Sequence, residues 1–181
     1  MSVNMPARIM IGTDQTRPRS YLLSKTDLFA RALTAGYIPP DPPGTRRLFG
    51  WRLPDIQRPA VWTPTQQTRF IESAWLGFHL GVIVVTGPDE DNHPNADLLI
   101  DGQQRLGAFQ AYWNGEVPAF GAYWTDVRPG QRQRFLDDPL LFTTLSPHLP
   151  DEVLTDLYIR MNFGGTPHRP EDHPDAQHRV T

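Results

Sequence analysis

The chain has 181 residues, of which 39% are apolar and 20% charged, and its formal net charge is −3. That length supports one domain with a sizeable core, while the acidic balance excludes a protein that grips nucleic acid mainly by bulk charge. With no cysteine there are no disulfides, thiolate nucleophiles or cysteine metal sites. No window has the ~20 consecutive apolar residues of a membrane span. Met1 to Ser20 lacks the apolar run of a secretion signal, so the chain reads as cytoplasmic, with no membrane partner.

In chain order, Met1 to Ser20 reads as a mobile arm. Ser24 to Ala35 reads as a helix with Leu28, Phe29, Ala32 and Leu33 on one face, a Ser24/Asp27 start and Gly36 as its stop. Pro39 to Gly44 is a proline-rich connector, Arg47 to Leu53 a strand, and Pro54 to Thr63 irregular. Thr63-Pro64 opens a helix whose stripe is Phe70, Ile71, Ala74, Trp75 and Phe78, ending near Gly77. Gly81 to Thr86 carries the β-branched run of a buried strand. A polar loop over Gly87 to Ala96 leads to a second strand, Asp97 to Ile100.

Gln103 to Asn114 follows as a helix burying Leu106, Phe109 and Trp113, stopped by Gly115. The remaining expected elements are a strand over Ala119 to Trp124, a short helix over Pro129 to Leu136 and a strand over Leu140 to Leu145. The last is a helix over Asp151 to Asn162, with Val153, Leu154, Leu157, Tyr158 and Met161 on one side and Gly164-Gly165 closing it. Three units result: an arm and helix over 1–45, the main domain over 46–171 and a frayed tail over 172–181.

The junction Asp101-Gly102-Gln103-Gln104-Arg105 carries the main functional signal. A strand turning into a helix here aims free backbone N–H groups at whatever lies above the helix start, which is an anion seat. Asp101 and Gln104 also fit a capping box that needs no ligand. Arg105 does not fit that reading, because the dipole disfavours a cation at a helix N-terminus by roughly 0.3–1 kcal/mol. A bound phosphate would reverse the sign.

Two further clusters carry polar groups. Pro54 to Trp62 contains Arg58, which either points into a shared cleft or lies on a surface loop anchored by Trp62. Tyr158 to Pro167 is a helix end with two glycines, where Arg160 complements the helix dipole. All basic residues except Lys25 are arginine, a bias that suits phosphate contacts without requiring them. His168, His173 and His178 fall at five-residue intervals, which suits no common metal motif. His79 reads as packed or solvated, and the tryptophans read as core anchors. An arginine patch of Arg128, Arg132 and Arg134 is the candidate DNA-facing surface.

In order, these clusters resemble the N-terminal domain family of GmrSD-type modification-dependent restriction endonucleases, in the ParB/sulfiredoxin-like fold group. The resemblance rests on Gln57, Arg58 and Trp62, then Ile71-Glu72-Ser73 and Gly77, the strand Val82 to Val85 and the Asp101 to Leu106 signature. It ends with Arg160, Asn162, Gly164 to Pro167 and Glu171. It implies an α+β single domain with a small mixed sheet flanked by helices. It also implies binding and hydrolysis of a nucleoside triphosphate with Mg²⁺.

On that resemblance Asp101, Gln103, Gln104 and Arg105 are the catalytic group. Gln57, Arg58, Gly102, Arg160 and Asn162 bind the nucleotide, and no resident metal site is assigned. Arg105 and Arg58 neutralise charge, Gln103 or Gln104 orients water, and Asp101 holds Mg²⁺. The sequence ends soon after Glu171 without a nuclease portion, so DNA and a nuclease subunit in trans are the expected partners. Two alternatives stand beside this reading: a non-catalytic DNA-binding adaptor, and a stand-alone ParB-like nuclease acting on DNA.

Overall fold

The structure is a computed structural model, and it describes residues 17–34, 44–54, 60–89, 91 and 93–163. Strand β1 (Arg19–Ser24) pairs antiparallel with β6 (Pro139–Leu145) over six residues, from Arg19 opposite Thr144 to Ser24 opposite Pro139. β6 runs parallel to β4 (Val82–Thr86), which pairs antiparallel with β5 (Leu99–Asp101). The sheet order is β1-β6-β4-β5. Helices α1 (Lys25–Thr34), α2 (Pro64–Trp75), α3 (Gln103–Trp113), α4 (Pro129–Asp137) and α5 (Asp151–Phe163) complete an α+β fold.

Alternation along β4 explains its continuous apolar run. Ile83 and Val85 face the larger core with α2 and α3, whereas Val84 faces a second core with Leu154 and Tyr158 of α5. A strand covered on both faces has no polar side to display. The larger core is knitted by aromatic contacts, with Phe109 against Phe70 and Phe135 and Trp51 stacked on Phe142. Tyr112 is fully buried but its hydroxyl accepts from Trp75 Nε1 at 3.2 Å; burial pushes its pKa up.

Several expectations hold. Thr63 caps α2 in a complete capping box with Gln66, and Pro64 occupies the first turn. Ser24 Oγ accepts from the Asp27 N–H at 3.0 Å and donates to its carboxylate at 2.7 Å, so the Ser24/Asp27 start is also present. Gly115, at φ 73, follows α3 as its stop. Trp51 is buried, and Trp62, Trp75, Trp113 and Trp124 pack against the larger core as anchors.

Others are corrected. Arg19 and Ser20 are not part of an arm, because they open β1, where Ser20 Oγ bonds Thr143 Oγ1 at 2.9 Å. Arg47 to Leu53 is a tight hairpin of β2 (Arg47–Leu48) and β3 (Trp51–Arg52) rather than one strand. Its turn residues Phe49 and Gly50 both have positive φ, 49° and 83°, which matches the twist of two-residue hairpins. The run Ala119 to Trp124 also turns, at Phe120 and Gly121 with φ 49° and 77°, so Ala119 pairs with Ala122. β5 begins later than Asp97, whose φ is 53°. Leu33 and Phe78 leave their predicted faces and are 74% and 65% exposed. Phe78 lies beyond the end of α2. The Pro39 to Gly44 connector except its last residue, the Gly36 and Gly164-Gly165 stops and the tail histidines lie outside the described residues.

Candidate active site at the β5–α3 junction

Leu99 and Ile100 are buried beside β4, which fixes the direction in which the chain enters α3. It turns at Gly102, whose φ of 106° is left-handed. A Cβ at Gly102 would lie 3.1 Å from both Cγ atoms of Ile83. Conformation and packing thus both select glycine. Gly102 at the N-cap has no side chain to cap α3, and the first intrahelical bond is Leu106 N–H to Gly102 O at 2.9 Å. The N–H groups of Gln103, Gln104 and Arg105 therefore precede the helical ladder.

The capping-box expectation fails here. Asp101 does not cap α3; its carboxylate accepts from Arg105 Nη2 in a salt bridge across one helical turn. Arg105 thus has an internal counter-ion, and its tolerance at a positive helix end does not by itself require a ligand. Arg105 Nη1 also reaches Leu80 O at 3.4 Å. Gly81 makes room for it: φ there is 80°, and a Cβ would overlap Arg105 Nη1. The Gly81 N–H donates to His79 Nδ1 at 3.2 Å, so exposed His79 braces this seat.

Gln104 takes a second unforeseen role. Its Oε1 accepts from the N–H groups of Val61 and Trp62, each at 3.0 Å. The start of α3 thereby holds the chain entering α2. Thr63 and Gln66 then satisfy that helix start, and the Trp62 ring lies 5.3 Å from Phe70.

A cleft of about 250 Å³ opens above this junction and is lined by Asp101, Gly102, Gln103, Gln104, Arg105 and Asn162. Trp62 and Tyr158 close its walls, two residues absent from the expected site. Tyr158 was legible in principle, because it stands one helical turn before Asn162 on the same face of α5. Asn162 Nδ2 donates to Tyr158 O at 3.0 Å. Arg160 is not brought to the cleft. Two positions from Asn162 it points about 200° around the helix, and its Nε donates to Asp156 at 2.6 Å. That hydrogen bond, with the carboxylate charge, pushes the Arg160 pKa up. Gln57 and Arg58 lie outside the described residues.

Among the described residues, no group of three or more His, Asp or Glu side chains converges for a metal ion. Asp101 is the one carboxylate lining the cleft among the described residues. One carboxylate fits Mg²⁺ arriving on phosphates, which supply further oxygen ligands. The arginine patch is partly committed to structure. Arg132 donates to Val127 O and Thr125 O, both at 2.7 Å, and lies 5.6 Å from the Trp124 ring. Arg128 bonds Gln131 at 3.2 Å, and Arg128 and Arg134 are exposed. No helix among the described residues is long and apolar enough to cross a membrane.

Comparison with protein families matches residues 44–144 to the family described as GmrSD restriction endonuclease, N-terminal domain. Comparisons with curated proteins and with solved structures gave no match. The matched stretch runs from the β2–β3 hairpin through the cleft-forming junction and into β6, more than half of the chain. The chain belongs to the N-terminal domain family of GmrSD restriction endonucleases.

Proposed function

We propose that the cleft binds a nucleoside triphosphate with Mg²⁺ and hydrolyses it, as the regulatory part of a restriction system. One observation carries this reading. The uncapped start of α3 faces a cleft beside an arginine whose counter-ion is a single, partly exposed carboxylate. Phosphate oxygens would accept from the N–H groups of Gln103 to Arg105. Arg105 would exchange Asp101 for a phosphate, and the released Asp101 would face the Mg²⁺ side of the ligand. The metal supplies charge neutralisation on the phosphates when bound.

Gln104 already spends its carbonyl on the α2 entrance, which leaves Gln103 to orient water. The water oxygen attacks the γ-phosphorus, the bond to the β,γ-bridging oxygen breaks, and the nucleoside diphosphate leaves with the electron pair, giving inorganic phosphate, while the water proton passes to phosphate or solvent. Arg58 remains the second phosphate contact of this proposal, with Gln57 and Asn162 as further nucleotide contacts. Arg160 is dropped from it. DNA and a nuclease subunit in trans are the partners through which turnover would act.

Calorimetric titration with each triphosphate and Mg²⁺ tests the reading. Wild-type protein binds, and Arg105→Ala binds ~100-fold more weakly with an unchanged circular-dichroism spectrum. Equal affinity in the two proteins removes the site assignment. If no triphosphate binds yet modified duplex is retarded in a gel, the adaptor reading replaces it.

A further inference from the structure

A second cavity, of about 190 Å³, adjoins the cleft and shares Tyr158 with it as a common wall. Leu98, Ile100 and Leu154 make its other sides apolar, and Asn95 and Asp151 stand together at its polar end. It is smaller than the ~300–1,000 Å³ of a pocket for a whole ligand, so it suits one portion of a larger molecule. We infer that it receives the base of the triphosphate and that the base is guanine. This rests on the triphosphate reading of the neighbouring cleft.

The choice of base follows from hydrogen-bond polarity. Asn95 Nδ2 donates to Asp151 Oδ1 at 2.6 Å, which fixes the amide orientation because a carboxylate only accepts. Asn95 is itself held in place. Its N–H donates to His93 Nδ1 at 3.2 Å, and its carbonyl accepts from the buried Thr86 hydroxyl. The carboxylate of Asp151, exposed at the polar end of the cavity with Oδ1 accepting from Asn95, offers an acceptor edge there. Guanine alone among the common bases offers two adjacent donors, N1–H and the 2-amino group, to such an edge. Adenine and cytosine set a ring acceptor beside their amine, and uracil flanks its one N–H with carbonyls. Each of those would put a lone pair against the carboxylate.

The test is calorimetric titration of the full chain with GTP, ATP, CTP, UTP and xanthosine triphosphate, each with Mg²⁺. GTP is expected to bind at least ~10-fold more tightly than the other three common triphosphates. Asp151→Asn turns one acceptor into a donor, which matches the 2-carbonyl of xanthine. That variant should lose the GTP preference and gain xanthosine triphosphate affinity, a reversal that general loosening of the fold cannot produce. Equal affinity for all four common bases, or an Asp151→Asn variant that keeps the GTP preference, overturns the base assignment while leaving the phosphate site standing. Absence of binding by every triphosphate overturns the phosphate reading and this inference with it.

Discussion

Two cations in this protein are each held by a carboxylate, and their surroundings give them opposite jobs. Lys25 is fully buried, 4.9 Å from the Phe135 ring centre and 5.9 Å from that of Phe109. It donates to Asp138 through both the carboxylate at 2.7 Å and the backbone carbonyl at 2.8 Å. It ties the start of α1 to the corner between α4 and β6. Arg105 makes the same kind of pair with Asp101, but both groups border a cleft and keep partial contact with water. A buried ammonium cannot leave its partner without a large desolvation cost, whereas a guanidinium at a cleft can trade one anion for another. Ion-pair chemistry alone does not separate a structural tie from a binding group; access does.

The largest expected effect breaks the buried pair. Asp138→Ala leaves the buried Lys25 ammonium with the backbone carbonyl but no counter-charge, and should cost about 3 kcal/mol in chemical denaturation. Adding Lys25→Met removes the stranded charge and should recover most of that loss, so a double variant as unstable as the single one would refute the account. Next, Arg105→Ala should change stability by less than ~1 kcal/mol while removing most triphosphate affinity, because its pair is partly exposed. A large stability loss there would make Arg105 a structural tie as well.

Two glycines sharpen the contrast further. Gly81 and Gly77 both have positive φ, 80° and 74°, but only at Gly81 would a Cβ strike Arg105. Alanine at either should cost about 1 kcal/mol of backbone strain. Only Gly81→Ala should also lower triphosphate affinity, about tenfold, by displacing the guanidinium. Equal affinity in the two variants would separate the Arg105 seat from binding.

The smallest effect is a pH slope. Burial pushes Lys25 below its ordinary value of 10.5, against the opposing hydrogen bond and charge of Asp138. Between the lowered folded value and 10.5 the unfolded chain holds the extra proton, so stability rises with pH in that window. Below the window the penalty of the buried charge is fully present. The stability of wild type relative to Lys25→Met, followed by denaturation, should therefore rise as pH climbs through that window toward 10.5. A constant gap would place the folded and unfolded proton affinities together.

Much of the fold was readable because its signals are local. The Thr63-Pro64 start, the β-branched run of β4, the apolar faces of α3 and α5 and the glycine junction at Gly102 each depend on a few neighbouring residues. The hairpin at Phe49-Gly50 and the turn at Phe120-Gly121 are hidden in the sequence because alternating apolar residues resemble a strand unless the turn residue announces itself. A phenylalanine at positive φ gives no such announcement. The site was legible as a segment, not as a constellation. The spacing of Asp101 and Gln104 fits a capping box, but Asp101 pairs with Arg105 and Gln104 reaches back to Val61 and Trp62.

Local sequence determined where helices and strands form, which faces they bury and where a glycine must turn the chain, since periodicity, capping and backbone sterics act over a few residues. Tertiary structure alone decided the partners. Lys25 meets a residue 113 positions away, and Gln104 accepts from N–H groups 43 and 42 positions back. Asp101 swings from the helix start to Arg105, and Tyr158 stands between two cavities. Which donor finds which acceptor across such separations depends on how whole elements pack, and packing is a property of the assembled chain rather than of any window within it.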